Sequence, residues 1–494
     1  MRHHILPVLG LAATLLISAG AAAAEFESNP CWTAMNRNLE IQCGYLLVPE
    51  VRSDPGSRLL RLPVVIFKGR QPDAEARGKP EPILILNGGP GGSNWVHSAQ
   101  FLPLWRPFVK ALQIPASRDV ILFSQRGTDN QQANPVECPV FDEPEYYLGI
   151  AKRRGGQTDW RAKLVNGITE CRKALEAAGY PLAAYSSLAN IEDVKDLRSA
   201  LALDRLAIYG VSYGSRLAVE LARHAGAGLT RLILDSPSTP EGDYTFRQVE
   251  NLLAAIHQLE DICGRNKLCR RHRFVEKNLM RLIKRLDKRP REIRIRSQVG
   301  GGKARRLYLK VDSAVLVDVL FFSFYFPDRI AMVPRALSNA IANDFELLTR
   351  LAGQAYFFDT GINYVTNTSV FCQDTPSARP SAAIRHELKT YPAFRRYLEH
   401  GLWLNETVCP MWLPGAEVHE DLTPRPMAIP TLILSGGLDP VTPLPAARSL
   451  LKTLPEASII FEASATHGAL PQSECMRKEV AAFLRAEAVS DKTC

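Results

Sequence analysis

The apolar run Leu206–Tyr209 leads straight into Gly210-Val211-Ser212-Tyr213-Gly214, and Arg216 to His224 then continues with helical spacing. That junction constrains the fold more than any other feature. A serine on a tight strand-to-helix turn projects its Oγ from the C-terminal edge of a sheet, and flanking glycines let strand and helix approach without Cβ clashes. The helix N-terminus below it supplies a positive dipole end and an unbonded N–H. The bare pattern recurs by chance, but its position between strand and helix is specific. A further apolar run, Arg231–Leu234, closes a strand–turn–helix–strand unit, which implies a parallel pair.

The same alternation runs through much of the chain and predicts an α/β fold, with a mostly parallel sheet and helices on both faces. Expected strands are Leu62–Phe67, Ile83–Leu86, Val120–Ser124, Leu206–Tyr209, Arg231–Leu234, Thr431–Leu434 and Ser458–Phe461. Wholly apolar strands such as Ile83-Leu84-Ile85-Leu86 suit a sheet covered on both sides. From about Tyr244 the pattern becomes helical until Leu413, and strands resume only at Pro430. The expected organisation is therefore a leader over 1–24, a core over 25–243, a helical cap inserted over 244–413, and a second core portion over 414–494. Of 494 residues 46% are hydrophobic, too many for a disordered chain. The formal charge of +9 is a mild excess at this length, and no Lys/Arg block is interleaved with aromatics, so nucleic acid is not an expected partner. The basic concentration at Arg270-Arg271-His272-Arg273 and Lys284 to Arg291 reads as an exposed face of the insertion.

Arg2, His3 and His4 precede an apolar run from Ile5 to Ile17, and Ala22-x-Ala24 offers a cleavage site, as in a secretory signal. No later apolar stretch of about 20 residues suggests a membrane span. The expected location is outside the cytoplasm, periplasmic or secreted. Ten cysteines in an exported chain read as disulfides, and joining neighbours gives Cys31–Cys43, Cys138–Cys171, Cys263–Cys269, Cys372–Cys409 and Cys475–Cys494. No C-x-x-C or H-x-x-x-H cluster suggests a metal.

A serine hydroxyl is a poor nucleophile near neutral pH and needs a base with an orienting acid. Thr431–Leu434 is followed by Ser435-Gly436-Gly437-Leu438-Asp439, and Ser458–Phe461 by Ala465-Thr466-His467-Gly468. His467 is the expected base and Asp439 the acid. Asp235, at the end of another strand, is the rival acid, disfavoured because the Gly-Gly turn and the spacing to His467 both suit Asp439. After Ile83–Leu86 comes Asn87-Gly88-Gly89-Pro90-Gly91-Gly92-Ser93, whose glycines can aim backbone N–H groups at a tetrahedral oxyanion. The expected donors are the N–H groups of Gly89 and Tyr213. The absence of G-K-[ST] after these glycines argues against a nucleotide site.

With these segments in place, the chain resembles the α/β-hydrolase aminopeptidases of the proline iminopeptidase and tripeptidyl aminopeptidase group, especially the secreted tripeptidyl branch. The resemblance rests on the H-G-G-P-G-like segment at 87–91, the D-Q-R-G-like segment at 124–127, G-x-S-Y-G at 210–214, D-x-V-T-P at 439–443 and His467. Cys372-Gln373-Asp374 and the Cys475/Cys494 pair also resemble that branch. Asn87 stands where the pattern has His, and Ser124 where it has Asp. The resemblance implies a Ser212–His467–Asp439 hydrolase acting on peptides with a free N-terminus under a helical cap, without cofactor or metal. Such an enzyme needs carboxylates to hold the substrate ammonium; Asp344, Glu346, Asp359 and Asp374 are candidates by location. An esterase or lipase acting on non-peptide acyl groups, and a non-catalytic binding protein on the same fold, are the alternative readings.

Overall fold

In the computed structural model, residues 25–32, 40–70, 80–129, 138–142, 160–239, 244–297, 305–356, 361–375, 378–415 and 425–494 are described. The expected leader over 1–24 lies outside them. Twelve strands are seen: β1 (Glu25–Asn29), β2 (Ile41–Pro49), β3 (Leu59–Phe67), β4 (Ile83–Leu86), β5 (Val120–Phe123), β6 (Leu206–Val211), β7 (Leu229–Asp235), β8 (Arg291–Ser297), β9 (Arg305–Val311), β10 (Thr431–Gly436), β11 (Ser458–Glu462) and β12 (Lys492–Thr493). Ten form one sheet in the order β1-β2-β3-β5-β4-β6-β7-β10-β11-β12. The strands from β5 to β12 in that order run parallel, while β1, β2 and β3 join as an antiparallel extension.

Alternation along the central strands sets the layers. Leu84 and Leu86 face Ile191, Val194, Leu217 and Leu221 of the helices Ser187–Ala200 and Tyr213–Ala225. Ile83 and Ile85 face Phe101 and Trp105 of helix Phe101–Leu112, with Met476 and Val480 of helix Glu474–Leu484. Both faces of β4 are buried, which explains its unbroken apolar sequence.

Between β7 and β10 the chain forms helices with their own apolar core, built on Leu252, Ile256, Leu279, Leu282, Leu316 and Leu337. The insertion is not wholly helical, as the sequence reading had it. β8 and β9 form an antiparallel hairpin whose Ile293, Ile295, Leu309 and Val311 point into that core. Their period of two, with Arg294 between Ile293 and Ile295 and Lys310 between Leu309 and Val311, is the strand signature. The antiparallel β1 and β2 were likewise not anticipated.

Five disulfides close the pairs 31–43, 138–171, 263–269, 372–409 and 475–494. The last ties the terminal strand β12 to helix Glu474–Leu484. Among the described residues no helix is long and apolar enough to cross a membrane.

Candidate active site

Ser212 sits between β6 and helix Tyr213–Ala225 with φ 55° and ψ −122°. This backbone region is unfavourable for a residue with a Cβ and persists only where the surroundings hold it. The reason for the glycines is visible. A Cβ on Gly214 would lie 2.0 Å from Leu86 O, and one on Gly210 would lie 2.5 Å from Gly214 O. Ser212 N–H donates to Asp235 O (3.0 Å), so β7 holds the turn. Tyr213 is the first helical residue, and its N–H has no helical carbonyl to meet.

The parallel pair β10–β11 delivers the other two expected residues. The loops after these strands lie against each other: Gly437 N–H donates to Glu462 O and Leu438 N–H to Ala465 O, each at 2.9 Å. Glycine is needed there, because a Cβ on Gly436 would lie 2.4 Å from Ala465 O. Across that seam His467 Nδ1 meets Asp439 Oδ2 at 2.8 Å. Asp439 also accepts from the Val441 and Thr442 N–H groups at 2.8 and 3.0 Å, and from Thr442 Oγ1 at 2.7 Å. Burial alone would push the Asp439 carboxyl up, but His467 and these donors hold it below the usual range. The His467 imidazole is raised. Burial works against its charge, yet the attraction and hydrogen bond of Asp439, with Asp235 behind, outweigh it. Tyr325 from the insertion sets its ring edge-on to His467, with centroids 5.2 Å apart.

Asp235, the rival acid, has other work. Its fully buried carboxylate accepts from Tyr209 Oη (2.7 Å), Ala469 N–H (2.8 Å) and Leu470 N–H (2.9 Å). Gly468 N–H donates to Ser236 Oγ at 2.9 Å. One residue thus ties the serine turn, through its carbonyl, to the loop after His467, through its carboxylate.

The glycine loop after β4 reaches the same rim. A Cβ on Gly88 would lie 3.0 Å from Ser212 Cβ, and Gly89 has φ 123°. The insertion clamps this loop. Asn363 N–H donates to Gly91 O, Asn367 Nδ2 to Pro90 O and Ser93 N–H to Gly361 O, at 2.8–2.9 Å. Gln125 Nε2 bonds Asn87 O at 2.8 Å, and Arg126 forms a buried fork on Asp193 at 2.6 and 2.7 Å. Asp129 gathers this turn: Ser124 Oγ donates to it at 2.9 Å, and the Asn94 and Trp95 N–H groups donate to it as well.

The acids sought for the substrate ammonium fare differently. Asp344 caps the next helix through Glu346 N–H (3.0 Å), and both side chains are exposed. Asp359 lies outside the described residues. Asp374 accepts from Ser187, whose hydroxyl also meets Tyr213 Oη at 2.7 Å, so it braces the serine turn from behind. A residue the sequence reading passed over has better placement. Asp318 lies on helix Ser313–Ser323, two turns before Tyr325, and burial pushes its carboxyl up to about 6. Among the described residues no cation pairs with it. The Tyr356 hydroxyl beside it works against that rise by favouring the charged carboxylate. Nothing in the local sequence around Asp318 marks it. It lies on the helix that leads to Tyr325, whose ring meets His467. Among the described residues no group of three or more His, Cys, Asp or Glu could hold a metal ion.

Sheet order, two helical layers and a serine on a strained strand-to-helix turn define an α/β hydrolase. Residues 81–260 match the family model for the alpha/beta hydrolase fold, and residues 395–494 match the model for TAP-like proteins. Together with the fold, these two matches support a TAP-like α/β hydrolase. It is 27% identical to the tripeptidyl aminopeptidase of Streptomyces lividans over 47% of this chain and 42% of that protein, less than half of the relative's length. It is 21% identical to the serine protease Hip1 of Mycobacterium tuberculosis, over 90% of this chain and 84% of that protein. Among solved structures, proline iminopeptidase of Mycobacterium smegmatis aligns over 87% of this chain and 95% of its own, with TM-score 0.33 and 12% identity.

Proposed function

We propose that this chain is an exported serine peptidase that cleaves peptides near their free N-terminus. The observation that carries the reading is the buried Asp439–His467 hydrogen bond, 2.8 Å long, at the rim where Ser212 is presented. Ser212 Oγ attacks the scissile carbonyl carbon while His467 Nε2 takes its proton and Asp439 holds the Nδ1–H. The oxyanion receives the N–H groups of Gly89 and Tyr213, each such donor being worth about 2.7–4 kcal/mol of barrier. Collapse expels the amine with the proton from His467. Water then releases the acyl group by the reverse sequence.

Residues 244–413 act as a cap, reaching the site through Tyr325 and the clamp at 361–367. Asp318 in that cap is the partner for the substrate ammonium, on the grounds of its burial, the lack of a cation beside it among the described residues and its position on the helix that leads to Tyr325. Five disulfides support an oxidising compartment, periplasmic or extracellular.

The experiment is cleavage of matched peptides with free and acetylated N-termini, beside short-chain esters. Free-amine peptides are expected to be cleaved and acetylated ones spared. Equal cleavage of both, or ester hydrolysis alone, would replace the aminopeptidase reading with a general esterase. Asp318→Asn is expected to raise KM for free-amine peptides roughly tenfold to a hundredfold, the range for a charge-assisted hydrogen bond, with kcat changed far less.

The pH dependence follows from the same groups. Only neutral imidazole accepts the serine proton, so kcat should fall with decreasing pH through a pKa above the ordinary 6.5 of histidine. Asp439→Asn removes the main stabiliser of imidazolium and should move that limb to lower pH. Protonation of Asp318, whose carboxyl is pushed up to about 6, should separately raise KM on the acid side. A limb below 6.5 in the unaltered enzyme would contradict this assignment of the base.

A further inference from the structure

Helix Val275–Lys288 packs Val275, Leu279, Leu282, Ile283 and Leu286 into the core of the insertion. Its opposite side carries Lys277, Arg281, Lys284 and Lys288, all exposed, at positions i, i+4, i+7 and i+11 of a single stripe. The two acids of this helix lie off the stripe and are engaged. Glu276 pairs with His257 at 2.9 Å and Asp287 with Arg396 at 3.1 Å. Among the described residues no ion pair engages Lys277, Arg281, Lys284 or Lys288, so the stripe is a row of free cations.

Its N-terminal end carries two large apolar side chains in water. Leu268 is 89% exposed and Phe274 49% exposed. Leu268 cannot easily fold back, because it directly precedes Cys269, which closes a short loop to Cys263. The cations continue around Phe274: Arg273 Cζ lies 4.5 Å and Lys277 Nζ 5.7 Å from its ring centroid. Single exposed apolar residues are ordinary on a protein surface. A leucine fixed on a disulfide-closed loop, followed a short way along the chain by a phenylalanine with two cations against its ring, is a different arrangement.

We infer that this face of the insertion docks on an anionic lipid bilayer, with Leu268 and Phe274 entering the headgroup region and the Lys277–Lys288 stripe lying along the charged surface. A soluble polyanion would reward the cations but gain nothing from the leucine and phenylalanine. A bilayer rewards both, because basic residues are drawn to anionic headgroups and apolar side chains bury at the acyl boundary. The docking is peripheral and reversible, and it is independent of what the active site cleaves.

The test is co-sedimentation of the mature protein with vesicles of phosphatidylcholine alone and of phosphatidylcholine mixed with phosphatidylglycerol. Binding is expected only to the mixed vesicles and should weaken with added salt. The triple change Lys277→Glu, Arg281→Glu and Lys284→Glu should lower partition at least about a hundredfold, from roughly fivefold per lost charge. Leu268→Ser with Phe274→Ser should lower it several-fold, and an unchanged thermal midpoint in each variant would show that the fold survives. Leu268→Trp provides a direct readout, with its fluorescence shifting to the blue on mixed vesicles. No binding to the mixed vesicles, or binding untouched by the charge reversals, would overturn the inference. So would an unshifted tryptophan together with full displacement by heparin, which would make the face a polyanion site.

Discussion

Ser212→Ala is expected to abolish turnover, by about 10⁶-fold in kcat, the scale seen when a serine nucleophile is removed from a Ser–His–Asp machine. The fold should remain. The hydroxyl of Ser212 is not what holds its turn. The turn is kept by Ser212 N–H on Asp235 O, by Ser215 Oγ on Ser212 O, by Gly214, which admits the close passage of β4, and by Gly210, which admits the start of the following helix. Alanine keeps the same unfavourable positive φ, so the thermal midpoint should stay within about 2–4 °C, the shift expected for 1 kcal/mol in a protein of this size or smaller. The check is a pair of measurements, initial rates on a free-amine peptide and a thermal melt. Substantial residual hydrolysis by a folded variant would mean that another residue is the nucleophile.

The second large effect separates the two buried acids. Asp439→Asn should lower kcat about 10⁴-fold, because an amide holds the imidazole in the wrong tautomer. Asp235→Asn should lower it much less, but should destabilise the protein. Its carboxylate oxygens accept two backbone N–H groups and a tyrosine hydroxyl in a dry site, and turning an amide NH₂ towards such donors leaves them unsatisfied at about 1–3 kcal/mol each. Rates and melting curves for both variants decide the matter. A larger rate loss from Asp235→Asn, without a matching loss of stability, would move the acid to β7.

The central layer was legible because its physics is local. A strand buried on both faces must be apolar throughout, as β4 is, and a serine at a forced turn must have glycine neighbours, as Ser212 has. Asp439 and His467 were findable because each follows an apolar strand, in loops that touch only if Gly436 and Gly437 lack side chains. The choice against Asp235 rested on spacing. In the structure that carboxylate is occupied with the backbone of residues 469 and 470.

Other parts were hidden for physical reasons. Tyr325 reaches His467 from the segment just after a helix of the insertion, with Asp318 two turns back on that helix, and no local pattern encodes a contact made so far along the chain. Asp129 accepts from Ser124, five residues upstream, in a turn whose geometry the sequence does not announce. The β8–β9 hairpin could have been read from its alternation of apolar with polar residues, Arg between the isoleucines of β8 and Lys310 between Leu309 and Val311 of β9, but the flanking helical segments drew the reading away from it. β1 and β2 extend the sheet in antiparallel sense, outside the βαβ logic that located the other strands.

The convergence of the three side chains is tested most directly by covalent capture. The unaltered protein, treated with a fluorophosphonate, digested and mapped by mass spectrometry, should carry a single adduct on Ser212. The adduct should disappear in His467→Ala and fade as acidification protonates the imidazole. A folded protein that takes up no label, or takes it at another serine, would contradict the account.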